Sequence, residues 1–198
     1  MNCFRNLYKA TTLLGVLCLL CSLPVKAAKI TRHSETASGL QGWSITDERI
    51  EIQLNPLQRD QVRAFYLARG FSDEVTQEIE RSCVFQAVMS NISSPADGIS
   101  VGVDLSQWRI VTSEGGVALT DKDSWLQRWD EMGASQASNV AFRWATFPWQ
   151  QRYVQSGDYG WGMILLGADL PEVFSVLLHW TVAGQPHSQR IDGLSCPE

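Results

Sequence analysis

Long apolar runs, histidine and catalytic motifs are all scarce in this 198-residue chain, and each shortage narrows what the protein can be. The one extended apolar run, residues 11–23, falls short of the roughly 20 residues that a membrane-spanning helix needs. It follows Arg5 and Lys9 and leads into Pro24 and Val25-Lys26-Ala27. A basic head, a short apolar middle and a small-residue exit form the pattern of a secretory signal peptide. Residues 1–27 are therefore expected to be removed. That leaves an exported chain, periplasmic or secreted, with no membrane insertion after maturation.

Positive charge is in short supply once that segment is gone. It carries three of the 16 Lys and Arg and none of the 21 acids, so 13 bases face 21 acids at a net −8. This sign disfavours nucleic acid, whose phosphates call for a clustered basic surface. It also disfavours docking on anionic lipid. Cysteine is scarce too: Cys3, Cys18 and Cys21 lie in the segment that leaves, and only Cys83 and Cys196 remain. Cys18 and Cys21 each follow a Leu, where a lipid-anchoring signal needs a small residue. With no C-x-x-C spacing, an exported Cys83/Cys196 pair reads as a structural disulfide tying the chain's end to its middle.

Nucleophilic and phosphate-binding motifs are missing: there is no G-x-S-x-G, no H-E-x-x-H and no glycine-rich loop after a strand. Acids such as Asp47-Glu48, Asp121 with Asp123, and Asp130-Glu131 sit near turns and helix ends, where carboxylates are solvated surface. A hydrolase or thiol oxidoreductase would need convergent acids or a reducible Cys83. Metal binding is limited by three histidines, His33, His179 and His187. His179 alternates with the apolar face of its strand and points outward. A two-residue turn at Gly184-Gln185, or a loop over residues 184–187, puts His187 on the opposite face from it. No metal and no cofactor is thus expected; the alternative is copper held by His179 or His187 with Met163. Isolated methionines such as Met89, Met132 and Met163 otherwise read as packing.

What the chain does contain is alternation. Residues 28–42 are small and polar and read as a flexible N-terminal arm. Residues 45–54 alternate as a half-buried strand. Asn55-Pro56-Leu57-Gln58 then carries helix-opening signals, and Ser72 with Asp73 and Glu74 opens a second helix. A strand is expected from about Cys83 and another around Ile99, Val101, Val103 and Leu105. Asp121 or Thr120 caps a short helix with Trp125, Trp129 and Met132 on one stripe. Beyond it Val140, Phe142 and Trp144 alternate as a strand, and Phe174, Val176, Leu178, Trp180 and Val182 make the clearest core face. The predicted fold is mainly β (α+β): a β-sandwich or partly open barrel with two or three short helices, including a helical pair inserted near the N-terminus. Residues 43–198 form the single globular domain.

Tryptophan is the positive signal, with eight in the chain. Trp144, Trp161 and Trp180 fit core positions of the sandwich, and Trp125 and Trp129 fit the underside of a helix. Trp149 is different: it stands with Arg152 and Tyr153 around the turn at Pro148, where core space is short. Tyr159 and Trp161 follow between glycines that permit close backbone approach. Exposed aromatics beside amide and Arg groups recognise sugar rings, peptides or proteins. Trp149, Arg152, Tyr153, Tyr159 and Trp161 are the candidate contact residues of a non-catalytic binding or assembly protein whose partner is a protein, peptide or glycan.

Overall fold

The computed structural model describes residues 28–34 and 39–197; the predicted signal segment lies outside the described residues. Two antiparallel sheets stack around one core, and four helices cover part of one sheet, an α+β sandwich. The first sheet runs β1 (Lys29–Ser34), β2 (Gln41–Thr46), β3 (Ile50–Pro56), β4 (Val84–Asn91) and β9 (Tyr159–Leu165). The second contains β5 (Val101–Asp104), β6 (Arg109–Thr112), β7 (Gly115–Ala118), β8 (Gln150–Tyr153), β10 (Phe174–Val182) and β11 (Gln185–Leu194).

Period-two alternation builds both layers. Ile50, Ile52 and Leu54 of β3, Phe85, Ala87 and Met89 of β4, and Val176, Leu178 and Trp180 of β10 point into one buried cluster. The other face of the first sheet contributes Val84 and Leu165 to a second cluster under α1 (Arg59–Leu67), α2 (Asp73–Arg81), α3 (Lys122–Glu131) and α4 (Gln136–Ala145). Within it Trp125 and Trp129 stack 5.2 Å apart. Cys83 and Cys196 are joined by a disulfide, with Cα atoms 5.3 Å apart across 113 residues of sequence.

Three sequence expectations change. Residues 29–34 form β1, paired with β2 from Lys29–Thr46 to Ser34–Gln41, although composition suggests a loose arm. Backbone hydrogen bonding to β2 and the His33 ring, 2.8 Å from Asn55 Oδ1, hold the segment. Residues 136–145 form α4 and not a strand. Ser135 caps it by accepting from Ser138 N at 3.1 Å, and only Phe142 of the alternating trio is buried. Asn55 and Pro56 belong to β3, and α1 starts later, where Gln61 Oε1 accepts from Gln58 N at 3.2 Å. The caps at Ser72 and Asp121 stand as expected.

Candidate functional site

The helices cover only one end of the outer face of the first sheet. Along β9 that face is read by alternate residues: Leu165 is buried, Met163 is half-buried, and Trp161 and Tyr159 are 58% and 67% exposed. The neighbouring outward positions are Val88 and Ser90 on β4, then Gln53 and Glu51 on β3. An aromatic edge therefore opens onto a mostly polar sheet surface. Trp144, at the end of α4, is 84% exposed. It lies two residues before Thr146, which bridges Met163 in parallel fashion. Trp161 lies two residues before Met163 on the other side of that bridge. Val140, one turn back from Trp144 on α4, is also exposed.

The backbone at this edge has a defined phase. Asn91 N donates to Asp158 O at 2.9 Å and Leu166 N donates to Cys83 O at 3.1 Å. Both pairs belong to the antiparallel register of β4 and β9, which makes the even-numbered residues of β9 the hydrogen-bonded ones. Tyr159, Trp161 and Met163 turn their N–H and C=O groups away from β4. Met163 O is taken by Phe147 N at 2.8 Å. Among the described residues, nothing pairs with the outward groups of Tyr159 and Trp161.

The other aromatic candidates do not join this surface. Tyr153 is 2% exposed and sits in the sandwich core, where burial pushes its hydroxyl pKa up. Trp149 is half-buried against the same core, and its carbonyl accepts from Leu105 N at 2.9 Å. Arg152 is on the outer face of the second sheet, donating to Ser100 Oγ at 3.0 Å through Nη2. The segment thus distributes its side chains over a core and two opposite faces. A tight β8–β9 connection allows this, because it carries the chain from one sheet to the other. Trp144, placed in the core by a strand reading, is instead 84% exposed at the end of α4. The Ser135/Ser138 cap was the available signal for the helix that exposes it.

Arg152 helps line a groove of about 630 Å³, with Asp104, Gln107, Gln150, His179 and Thr181. Its floor is Gly102, where a Cβ would lie 2.7 Å from Thr181 Oγ1. Asp104 is held by Gln150 Nε2 at 3.0 Å and by Ser106 N at 2.9 Å. His179 points into the groove from β10. His187 pairs with Trp180, stacks on its ring at 5.9 Å, and sets Nδ1 3.4 Å from Asp47 Oδ2. The hairpin turn is Ala183-Gly184, both at positive φ, one residue earlier than expected. Its parity is unchanged, so the two histidines still lie on opposite faces. Met163 is in the other sheet, accepting from Tyr66 Oη at 3.5 Å, where burial pushes the Tyr66 pKa up. The copper alternative therefore lacks a converged ligand set. Among the described residues, no three His, Cys, Asp or Glu side chains are grouped to hold a metal.

No known protein family matches the chain, and no curated protein or solved structure matches it either.

Proposed function

We propose that this chain is an exported, non-catalytic binding or assembly protein that presents the aromatic edge of its five-stranded sheet to a partner protein, peptide or glycan. One observation carries the reading: Tyr159 and Trp161 occupy successive outward positions of an edge strand and are largely exposed, and Trp144, two residues before the Thr146 that bridges Met163 of that strand, is exposed as well. Large aromatics left in water forgo their burial energy, and an open apolar edge invites association. Tyr and Trp are also the residues that dominate contact energies, because they bring much area at little cost in side-chain freedom. Export is supported by the charge and hydropathy pattern of residues 1–27 and by a disulfide suited to an oxidising compartment.

The test is selection of displayed peptides and a glycan array against the mature chain and its Tyr159→Ala, Trp161→Ala double variant. Ligands that bind the former and are lost by the latter support the reading. Ligands retained equally by both would place recognition elsewhere. The groove on the opposite sheet favours a second reading, a small polar ligand held by Arg152, His179 and Thr181. Arg152→Ala, His179→Ala separates the two, because it leaves the aromatic edge intact.

A further inference from the structure

We infer that the groove on the outer face of the second sheet binds a short zwitterionic peptide, about two or three residues long, with its carboxylate at Arg152 and its ammonium at Asp104. Such a ligand rests on the second reading above, that this groove holds a small polar molecule, and narrows it to one chemical class.

Strand register builds the groove. On β10, Val176, Leu178 and Trp180 turn into the core, so His179 and Thr181 face out. Pairing places Gly102 of β5 between Thr181 on one side and Arg152 of β8 on the other. In the next outward row Asp104 is paired with Gln150, and His179 follows on the other side, one step beyond the Trp180–Val103 pair. Gly102 leaves the centre of the first row without a side chain, which opens the floor between the two rows. A volume of about 630 Å³ falls within the range of small-molecule sites, about 300–1,000 Å³.

Charge is arranged along the groove. The Arg152 guanidinium donates to Ser100 Oγ through Nε at 3.3 Å and through Nη2 at 3.0 Å, which sets it at the Ser100 end. The Asp104 carboxylate is held at the other end by Ser106 and Gln150. Among the described residues neither charge forms an ion pair, and the Thr181 hydroxyl and the His179 ring make no hydrogen bond. With its histidines neutral, the groove thus carries one formal charge of each sign, four residues of extended chain and roughly 13 Å apart. A ligand with a single charge is attracted at one end and repelled at the other, and an uncharged sugar uses neither charge. A zwitterion laid along the groove satisfies both. Contacts of about 3 Å at the two ends leave roughly 7 Å between the ligand's own charges. That is the span of two extended residues, or of three in a bent chain. Thr181 and His179 flank the ligand and offer it hydrogen bonds.

NMR chemical-shift mapping of the mature, disulfide-bonded chain, titrated with dialanine and trialanine, tests this. The expected result is saturable shifts at the Gly102 and Thr181 amides, with the N-acetylated and C-amidated forms of the same peptides each at least about tenfold weaker. Arg152→Ala removes the penalty for the amidated form alone. Asp104→Asn, which keeps an acceptor for Ser106, removes the penalty for the acetylated form alone. Cooperative melting establishes first that both variants fold. Free and capped peptides that bind alike overturn the zwitterion and leave the groove reading standing, as does binding of maltotriose where neither peptide binds. Shifts that map elsewhere, or that neither substitution alters, overturn both. No saturable shift with either peptide overturns the zwitterion, and the Arg152→Ala, His179→Ala comparison then decides the groove by itself.

Discussion

Gly162 lies so close to Phe147 that a Cβ at position 162 would stand 2.5 Å from the Phe147 nitrogen and 2.6 Å from its Cα. The contact is backbone against backbone, so no rotamer change relieves it. Gly162→Ala is expected to force the segment after α4 away from β9 and to stretch the Phe147 N to Met163 O bond. The cost should reach at least about 1–3 kcal/mol, read from the midpoint of urea denaturation. A shift within error would show that this crossing is looser than described.

Two tryptophans on neighbouring layers should separate stability from recognition. Trp180 is 3% exposed and Trp161 is 58% exposed. Trp180→Ala should cost about 3–5 kcal/mol, and Trp161→Ala less than about 0.5 kcal/mol. Parallel chemical denaturation of the two variants is sufficient. A large loss at Trp161 would mean that its ring supports the fold and is not held ready for a partner.

Breaking the Cys83–Cys196 bridge releases a loop of 113 residues. Disulfides typically contribute about 2–4 kcal/mol, and chain entropy alone would give a loop this long somewhat more. The Cys83→Ser, Cys196→Ser double variant and the wild type under reductant should therefore lose similar stability in thermal melts. If reductant leaves the wild-type melt unchanged, the thiols are not paired in solution.

Asp121 caps α3 by accepting from Ser124 Oγ at 2.6 Å and from Ser124 N at 2.9 Å. The Ser124 hydroxyl first, and its backbone N–H second, hold the Asp121 carboxyl below the usual aspartate value. A lowered folded-state pKa contributes stability that is present above the ordinary value near about 4 and is lost as pH falls through the folded one. Asp121→Ala should cost about 1 kcal/mol at neutral pH. The difference from wild type should shrink below about pH 4. A gap independent of pH would show that the cap does not act through its charge.

Tyr153 buries its hydroxyl without a hydrogen-bond partner among the described residues, next to Gly160. An unsatisfied buried hydroxyl is a cost and not a gain. Tyr153→Phe should hold or raise stability, by up to about 1 kcal/mol, with no change in ligand binding at the β9 edge. Loss of stability would reveal a partner for the hydroxyl, such as a bound water.

Alternation made most of the sandwich legible. Along most of their length β3, β4 and β10 bury one side, and a period of two identifies that side without knowing its neighbours. The same rule failed at Val140, Phe142 and Trp144, because alternate apolar residues also occur on a short helix whose two outer members face water. There the cap at Ser135 was the better guide than hydropathy. β1 escaped notice for another reason. It is held by main-chain bonds at an edge, and its side chains bury little, so its composition carries no trace of the pairing. The candidate surface was half legible: glycine spacing drew attention to Tyr159 and Trp161, but proximity in sequence wrongly grouped them with Tyr153 and Arg152. Side-chain direction reverses at each residue, and the chain changes sheet between Tyr153 and Tyr159. Neighbours along the chain are therefore not neighbours on a face.

The disulfide also determines how the molecule bears load. Cys196 follows β11, yet its sulfur is bonded to Cys83 at the threshold of β4, an interior strand of the opposite sheet. A pull applied beyond Cys196, by a protease that unfolds its substrate or by a tether, does not peel β11 away first. It is delivered through the bridge to β4, between β3 and β9, where many hydrogen bonds must give way together. The terminal strand is thereby shielded from unzipping, and the carboxyl end becomes a poor handle for taking the domain apart.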